Sequence, residues 1–430
     1  MEVGAEEVGL GDALRRLDEL IDWEQRERAQ AMRVDLKPIE DLASLAGRPD
    51  RGLCVVHVAG SKGKGSVASL VAAGCRAAGM RIGRYGSPHV ESIHERIEID
   101  GAPIGDAQLA SALGEALDMR DAAVMIGSDG KDATWFDVLT LAAMVAMRDA
   151  GIRHAVFECG LGGRLDSTNL LVGEVCVVTN IELEHTAILG ATRAEIAFEK
   201  VSILGQAATL VTGVPPEPDE AGAVLARHAE MMGSRTLRPE ATAATTQTID
   251  ERNRDLAALV LDELGRRGWS GTKTVLADLL TEDVAQEARL PGRLEVFDWQ
   301  GIPVVLDGAH VPSSLGAVLA DCAKRPALQA APVVIFGVAK DKDLEGMLKM
   351  LAARVDRLVC TSVGSRTAAP PEELVENARR FVAGAEMASV PRMALTRAAE
   401  LCQPGGWILI TGSLHLIGAL RPIVSAEPPC

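Results

Sequence analysis

The stretch Leu53–Ser66, which reads LCVVHVAGSKGKGS, decides the fold expected for this chain. An apolar run rich in β-branched residues ends abruptly where Gly60, Gly63 and Gly65 surround Lys64. An Ala-, Leu- and Val-rich pattern with helical spacing follows directly. Glycines allow backbone N–H groups to close around phosphate oxygens, a helix N-terminus adds partial positive charge, and a lysine reaches the outer phosphates. The order of strand, glycine loop and helix therefore predicts a phosphate-binding site.

The match to the general phosphate-loop pattern is incomplete. Gly65 separates Lys64 from the hydroxyl residue Ser66, and the leading part of the loop is short. Glycines between a strand and a helix can also form a tight connection that binds no ligand. The flanking strand, the flanking helix and the lysine between glycines favour a phosphate site, which we interpret as an ATP site. Its residues are Gly60, Ser61, Lys62, Gly63, Lys64, Gly65 and Ser66.

Length and composition indicate an ordinary globular protein. With 430 residues the chain is long enough for two or three domains, each with its own core. Hydrophobic residues make up 47% of the chain and aromatic residues only 3%, so the core must consist mostly of Ala, Val, Leu and Ile. The formal net charge of -16 argues against general nucleic-acid binding, because a phosphate backbone would be repelled. An anionic small substrate therefore needs a local cluster of positive side chains.

The cysteines and the N-terminal residues indicate the cellular compartment in which the protein is expected. The eight cysteines are scattered and include no C-x-x-C pair. Several lie in apolar strand-like runs, where a free thiol behaves as a small buried hydrophobe. The chain begins MEVGAEE, which lacks the basic and apolar regions of a secretion signal, and no apolar run is long enough to span a bilayer. We expect a cytoplasmic protein without a membrane partner.

Strand-like apolar runs alternate with helical patterns along the chain. They begin near residues 53, 81, 154, 175 and 208, and again near 302, 333, 358 and 407. This alternation indicates parallel sheets covered on both faces. Pro291-Gly292 interrupts the regular pattern between the two groups and marks a domain boundary. We therefore expect an α/β fold, with an N-terminal P-loop ATPase domain over residues 1–292, built on a mainly parallel sheet, and a smaller C-terminal Rossmann-like α/β domain over residues 293–430.

Ligands of parallel sheets collect beyond the carboxyl ends of the strands. The polar residues expected at these ends are Lys64, Ser87, Glu158 and His185. Glu158 suits Mg²⁺, which prefers oxygen ligands, although it could equally cap a turn. His185 is less typical for magnesium and could be an ordinary hydrogen-bonded loop histidine. Asp307 and His310 follow a strand of the second domain, and this pair is more typical of a functional site than of a turn cap. Lys200, considered alone, would be an exposed lysine on a helix.

Several motifs in the same order resemble the folylpolyglutamate synthase/dihydrofolate synthase family, a cytoplasmic branch of the Mur ligase superfamily, from about residue 14 to residue 421. The phosphate loop is similar to the family's Gly-Thr-Asn-Gly-Lys-Gly-Ser. The further matching motifs are Ser87-Pro88-His89, the segment ECGLGGRLD at 158–166, Thr179-Asn180, Glu184-His185-Thr186, Glu199-Lys200, Pro291-Gly292-Arg293, Asp307-Gly308-Ala309-His310 and Thr411-Gly412-Ser413-Leu414.

The resemblance implies roles for individual residues. The residues implied to act in catalysis are Lys64, Lys200, Asp307 and His310. Those implied to contact the nucleotide, besides the loop, are Asn253, Arg293 and Asp307. The implied Mg²⁺ ligands are Ser87, Glu158, His185 and Lys200, with two ions expected and Lys200 carbamylated. The residues at positions that line the pterin-side pocket are Thr134, Trp135, Phe136, Asp137, Leu165, Asp166 and Ser167.

The activity implied by the resemblance is an ATP-dependent amide ligation. A pterin or folate carboxylate would be phosphorylated by ATP, and L-glutamate would attack the acyl phosphate while the second domain closes over the first. The expected partners are these small molecules, with no nucleic acid, and the protein is expected to be a monomer. The choice between dihydropteroate and tetrahydrofolate, or both, stays open.

This sequence departs from the family pattern at several positions. Val311 follows His310 where the family usually has Asn, Asp137 stands where Glu is common, and Glu184 stands where Asp is common. Substrate identity is therefore less certain than reaction type. Two alternatives stay open: a Mur-type ligase acting on a different carboxylate, and a nucleotide-binding module that does not ligate.

Overall fold

The computed structural model describes residues 9–22, 35–216, 218–240 and 247–426. The acidic N-terminal segment considered for a secretion signal lies outside these residues. The chain divides into two compact units, Met1–Ala288 and Arg289–Cys430. The boundary expected after residue 292 lies close to this division. Each unit is built on its own sheet.

The first unit contains an eight-stranded sheet with helices on both faces. Its strands are β1 (Cys54–Ala59), β2 (Ile82–Tyr85), β3 (Ile97–Ile99), β4 (Ala102–Pro103), β5 (His154–Glu158), β6 (Gly173–Val178), β7 (Thr209–Thr212) and β8 (Arg235–Leu237). Its helices are α1 (Leu10–Asp18), α2 (Lys37–Leu45), α3 (Lys64–Ala77), α4 (Asp106–Ile126), α5 (Trp135–Asp149), α6 (Thr186–Leu189), α7 (Arg193–Val201), α8 (Glu220–Met231), α9 (Ile249–Arg267) and α10 (Glu282–Glu287).

The strand order in this sheet is β4-β3-β2-β5-β1-β6-β7-β8. Strands β2, β5, β1, β6, β7 and β8 run parallel, and β3 and β4 add an antiparallel edge. Strand β1 buries side chains on both faces, because Val55 packs into the core shared with α4 and α5 while Val56 and Val58 pack into the core shared with α3 and α9. The prediction of a parallel sheet covered on both faces is confirmed for this unit.

The loop between β1 and α3 depends on two glycines. Gly60 has φ 143°, and a Cβ at this position would lie 1.9 Å from Thr179 Oγ1. Gly63 has φ 80° and precedes the first helical residue, Lys64. An L-residue side chain would be strained at either position. Helix α3 thus begins at Lys64, earlier than its apolar pattern indicates, and the lysine lies in the first turn of the helix.

The second unit contains a six-stranded sheet in the order β13-β12-β11-β14-β10-β9. Its strands are β9 (Glu295–Trp299), β10 (Ile302–Asp307), β11 (Val333–Phe336), β12 (Arg357–Cys360), β13 (Ala385–Met387) and β14 (Ile408–Thr411). Its helices are α11 (Pro312–Cys322), α12 (Leu344–Ala352), α13 (Pro371–Ala378), α14 (Pro391–Leu401) and α15 (Leu414–Ser425). All strand pairs are parallel except the antiparallel edge pair β9 and β10, which fits the expected Rossmann-like α/β domain.

None of the helices in the described part of the chain combines the length and the apolar character needed to cross a bilayer.

Candidate active site

The glycine loop after β1 is held by the residues that follow β6, the neighbouring strand. Thr179 Oγ1 donates to the Lys62 carbonyl over 2.6 Å, and the Lys62 N–H donates to Asn180 Oδ1 over 2.8 Å. The Ser61 N–H donates to the Asn180 carbonyl over 3.0 Å. These bonds fix the shape of the loop through a second strand end.

Three lysines and one carboxylate meet at this loop. Lys64 Nζ and Lys200 Nζ both donate to the Gly60 carbonyl, over 3.0 and 2.9 Å. Glu184 pairs with Lys62 through one carboxylate oxygen at 3.0 Å and with Lys200 through the other at 3.2 Å. The predicted loop lysine and the predicted Lys200 are therefore brought together. A chain with a net charge of -16 thus concentrates positive charge at its glycine loop, where an anionic ligand would be attracted.

Burial changes the ionisation of this cluster. Lys200 is only 2% exposed, and burial together with the positive charge of Lys64 lowers its pKa to about 8, against the opposing effect of Glu184. Burial alone would raise the pKa of Glu184, but the attraction of Lys200, Lys64, Lys62 and His185 outweighs it and lowers that pKa to about 2. Glu184 therefore stays ionised at neutral pH, whereas Lys200 holds its proton weakly for a lysine.

The predicted magnesium ligands lie at two neighbouring strand ends and in the segment after β6. Glu158, the last residue of β5, is buried, and its Oε2 accepts from the Ser87 N–H over 3.2 Å. His185 directly follows Glu184 and precedes α6 with φ 49°, in the left-handed region. Within the described residues, no three or more His, Cys, Asp or Glu side chains form a group that could hold a metal. The structure thus brings Ser87 to Glu158 and Lys200 to Glu184.

Asn253 lies against the glycine loop although it is far away in sequence. It is a buried residue in the second turn of α9. A Cβ on Gly63 would lie 2.4 Å from Asn253 Oδ1. Because the loop backbone at Gly63 passes this close, the Asn253 amide is in the position expected of a residue that supports the loop or contacts a nucleotide bound there.

The two predicted pterin-side carboxylates, Asp137 and Asp166, are buried and hydrogen-bonded to neighbouring residues. Asp137 Oδ2 accepts from the Thr134 N–H and hydroxyl, over 2.9 and 2.7 Å, at the start of α5. Asp137 Oδ1 accepts from Ser167 Oγ over 2.6 Å. Asp166 Oδ2 accepts from the Leu161 N–H over 2.8 Å, and its Oδ1 accepts from the Thr168 hydroxyl over 2.5 Å. These bonds join the start of α5 to the glycine-rich turn after β5. The two carboxylates therefore form part of the frame of this surface and do not project freely from it.

Burial raises the pKa of both carboxyl groups, against the lowering effect of the hydrogen bonds they accept. In both groups burial outweighs the hydrogen bonds, so the charged form is less favoured than in water.

The aromatic residues of the predicted pocket have different surroundings. Trp135 is buried, its Nε1 donates to Asp18 Oδ1 over 3.3 Å, and the Arg96 guanidinium lies 4.8 Å from its ring centroid. Phe136 is half-buried and touches the turn after β5, because a Cβ on Gly160 would lie 2.7 Å from its ring. Leu165 in the same turn is also half-buried. Phe136 and Leu165 are thus available to a ligand, whereas Trp135 belongs to the core.

In the second unit, Asp307 holds the turn that follows β10. Its Oδ2 accepts from the Leu294 N–H over 3.0 Å and its Oδ1 from the Ala309 N–H over 2.9 Å. His310 Nδ1 contacts the Gly308 carbonyl at 2.9 Å. Arg293 is half-buried, and its guanidinium would lie 3.4 Å from a Cβ on Gly308. The structure therefore brings the predicted Arg293, Asp307 and His310 to one turn.

Sequence analysis gave no role to Glu184 or to Asn180. Both follow β6, a strand whose apolar run was recognised, and polar residues directly after a buried parallel strand are candidate ligand-site residues. Their contacts with the glycine loop could not be read from the sequence, because no periodicity links residues separated by more than a hundred positions.

Comparisons with known proteins give consistent results. Residues 292–414 match the family model described as "Mur ligase, glutamate ligase domain". The chain is 31% identical to the dihydrofolate synthase/folylpolyglutamate synthase of Mycobacterium tuberculosis, over 97% of this chain and 95% of that protein. A probable bifunctional folylpolyglutamate synthase/dihydropteroate synthase of Haloferax volcanii is 33% identical over 90% of this chain and 49% of its own length, so the chain spans about half of that relative.

A solved structure of Mycobacterium tuberculosis folylpolyglutamate synthase complexed with ADP is also similar, with a TM-score of 0.81 and 28% sequence identity. The similarity covers 98% of this chain and 99% of that one, so it includes both sheets.

Proposed function

Because the chain belongs to the folylpolyglutamate synthase/dihydrofolate synthase family of ATP-dependent ligases, we propose that it joins the amino group of L-glutamate to the carboxylate of a folate-class substrate through an acyl phosphate. The observation that carries the proposal is the convergence of Lys64 and Lys200 on the Gly60 carbonyl of the glycine loop. Lys64 gives one of its three N–H groups to this carbonyl and can direct the others at phosphate oxygens, while Lys200, which also donates to Glu184, is held beside the loop. This arrangement suits the binding of a triphosphate.

The proposed first step is phosphoryl transfer. A carboxylate oxygen of the substrate attacks the γ-phosphorus of ATP, and the bond to the bridging oxygen breaks as ADP leaves. Lys64, the loop N–H groups and the N-terminus of α3 bind the phosphates and stabilise the charge on them. The proposed nucleotide contacts also include Asn253 and, from the second unit, Arg293 and Asp307.

The proposed second step forms the amide. The amino group of L-glutamate attacks the acyl carbon, a tetrahedral intermediate forms, and phosphate leaves as the nitrogen loses a proton. His310 is proposed to lie beside the transferred phosphate. Exclusion of water is required because an acyl phosphate is readily hydrolysed, and correct positioning of the amine supplies much of the rate.

Divalent metal is proposed to be held by Ser87, Glu158, His185 and Lys200. Carboxylate and hydroxyl oxygens suit Mg²⁺, and the contact between Ser87 and Glu158 supports this donor set. When bound, the ion neutralises phosphate charge and orients the γ-phosphate for displacement. We propose two such ions and carbamylation of Lys200, in which its neutral amine adds to CO2 and releases a proton; the pKa of about 8, lowered by burial, supplies that neutral amine.

The substrate pocket is proposed to lie between the start of α5 and the turn after β5. Phe136 and Leu165 would form its apolar surface, and Thr134, Asp137, Asp166 and Ser167 its polar frame. We propose that the reaction takes place in the cytoplasm. The seven cysteines in the described residues are free thiols, and most of them are buried, which suits a reducing compartment.

A substrate-dependence assay tests the proposal. Phosphate release is measured with ATP, Mg²⁺ and L-glutamate, with dihydropteroate, with tetrahydrofolate, or with neither, and products are identified by mass. Turnover that requires both glutamate and a pterin substrate supports the proposal. Turnover with another carboxylate supports a different Mur-type ligase, and hydrolysis indifferent to both supports a module that does not ligate.

Lys64→Ala provides the negative variant for the same assay, because it removes the lysine from the loop. Lys273→Ala is its matched control, since Lys273 is exposed and lies outside every predicted site. The first variant is expected to lose turnover while both stay folded. Near-normal turnover in Lys64→Ala would contradict the assignment of the ATP site.

A further inference from the structure

A network of buried, hydrogen-bonded side chains connects β1, the strand that leads into the glycine loop, to the turn after β5. His57 and Thr168 are both fully buried, and His57 Nε2 lies 2.9 Å from Thr168 Oγ1. Thr168 Oγ1 in turn donates to Asp166 Oδ1 over 2.5 Å. Cys159 Sγ lies 3.1 Å from the same His57 nitrogen. The network ends at Asp166, which also accepts hydrogen bonds from the backbone N–H groups of Gly160 and Leu161 and so holds this turn.

The direction of these bonds follows from what each atom can donate. Asp166 Oδ1 lies 2.5 Å from the Thr168 hydroxyl and also accepts from the Thr168 N–H, whereas Cys159 Sγ lies 3.6 Å away, so the hydroxyl gives its single proton to Asp166. The Thr168 oxygen can then only accept from His57, which requires a hydrogen on Nε2. The result is two consecutive hydrogen bonds in the same direction: His57 Nε2–H donates to Thr168, and the Thr168 hydroxyl donates to Asp166.

The second ring nitrogen supports the same assignment. His57 Nδ1 is buried and has no hydrogen-bond partner among the residues that the structure describes. In the opposite tautomer this atom would be a buried N–H without an acceptor, and Nε2 would turn a lone pair toward the Thr168 oxygen at 2.9 Å, with the weakly donating Cys159 thiol in place of Thr168 as its partner. An unmatched lone pair at Nδ1 is a smaller penalty than a buried unmatched donor. Burial also lowers the pKa of His57 to about 3, so the ring is neutral at physiological pH and carries one hydrogen.

We propose that His57 is a positioning residue: as the Nε2–H tautomer it orients the Thr168 hydroxyl toward Asp166 and so fixes the turn that follows Glu158. His57 itself is fully buried and reaches no substrate. Its effect passes through Asp166 to the half-buried Leu165, which lies in that turn. The consequence for folate binding rests on the proposed function, whereas the tautomer does not.

The tautomer is tested directly by long-range ¹H–¹⁵N correlation of the full-length ¹⁵N-labelled protein. The His57 signal is identified by its disappearance in His57→Gln. We expect Nδ1 at the chemical shift of a non-protonated nitrogen and Nε2 at that of a protonated one. A protonated Nδ1 would overturn the proposal, whatever reaction the protein catalyses.

The positioning role is tested by a pair of amide substitutions. The side-chain nitrogen of His57→Gln can replace Nε2–H, whereas that of His57→Asn is at the distance of Nδ1. We expect His57→Asn to raise the KM for the folate substrate roughly tenfold, about the effect of one lost buried hydrogen bond, and to leave the KM for ATP nearly unchanged. His57→Gln is expected to retain the wild-type KM for folate. Equal effects of the two substitutions on that KM would contradict the role.

Thr168 tests the same bond from its other end, should His57→Asn fail to fold. Thr168→Ser keeps the hydroxyl and is expected to behave as wild type, whereas Thr168→Val is expected to raise the folate KM as His57→Asn does. The double variant is expected to be no worse than either single variant, because both remove one interaction. Additive effects would show that the residues act separately. If the wild-type protein uses no folate substrate, the proposed function fails, and the NMR measurement still decides the tautomer.

Discussion

Replacement of Lys200 by Met should make the folded protein more stable at neutral pH while abolishing ligation. Lys200 is 2% exposed and makes two polar contacts, with the Gly60 carbonyl at 2.9 Å and with Glu184 at 3.2 Å. A methionine of similar length fills the same space without a charge that must be taken out of water. Glu184 keeps its ion pair with Lys62 at 3.0 Å, so the substitution does not leave this carboxylate unpaired.

The size of the effect follows from the ionisation of Lys200. Burial, with the charge of Lys64, lowers its pKa from the ordinary 10.5 to about 8. At 1.36 kcal/mol per pKa unit, keeping this amine charged costs the folded state about 3 kcal/mol. Between pH 8 and 10.5 the unfolded chain binds more protons than the folded one, so folding becomes more favourable as the pH rises. The cost is complete below pH 8 and is relieved by pH 10.5.

The assay is urea denaturation of the wild type and of Lys200→Met at several pH values from 7.5 to 10, in buffer free of CO2 so that Lys200 stays an amine. The stability difference in favour of the variant should shrink by about 2–3 kcal/mol over this range. Lys273→Met, which removes an exposed lysine, should show no such trend. A difference between Lys200→Met and wild type that does not change with pH would refute the reasoning, because it would mean that Lys200 is not held as a buried cation.

Three further variants test the site. Gly63→Ala should raise the KM for ATP by roughly tenfold or more in steady-state kinetics, because φ is 80° and the added Cβ would lie 2.4 Å from Asn253 Oδ1. Asp307→Ala should destabilise the second unit by about 1–3 kcal/mol in urea denaturation, since two backbone N–H groups lose their acceptor. Thr134→Ala should destabilise α5 by about 1 kcal/mol and raise the KM for the folate substrate, because the cap that also engages Asp137 is lost; an unchanged melting temperature would contradict this role.

The interior strands of both sheets could be predicted from the sequence because they are buried on both faces. The runs recognised near residues 53, 154 and 175 correspond to β1, β5 and β6, with ends shifted by a few residues. The edge strands β8, β9 and β13 could not be predicted in this way. Edge strands are short and partly exposed, as the alternating burial of Glu295–Trp299 illustrates, so they lack the apolar run that marks an interior strand.

The residue types of the candidate site were recognisable, but their contacts were not. Asp307 was expected at a strand end, and it lies there, at the end of β10. Its two backbone donors come from Leu294 and Ala309, on either side of the strand pair, and only the fold brings them together. Likewise Lys200, taken alone, would have been assigned to the surface, because nothing in a helical pattern reveals that the neighbouring loop buries it. The resemblance to a known family gave Lys200 its expected role before the structure explained its burial.

The lysine cluster links the stability of the first unit to its proposed chemistry. Lys62 and Lys200 pair with one carboxylate, Glu184, and Lys64 lies beside them on the Gly60 carbonyl, so this cluster holds more positive than negative charge at the glycine loop. Like charges at short range, one of them buried, are unfavourable to folding in the absence of an anion. A triphosphate would supply the missing negative charge, and the free energy recovered when repulsion is relieved would contribute to nucleotide binding. Part of the cost that Lys200→Met removes, the repulsion between Lys200 and Lys64, is therefore the same interaction that makes the loop attractive to phosphate, so the more stable variant should be the inactive one.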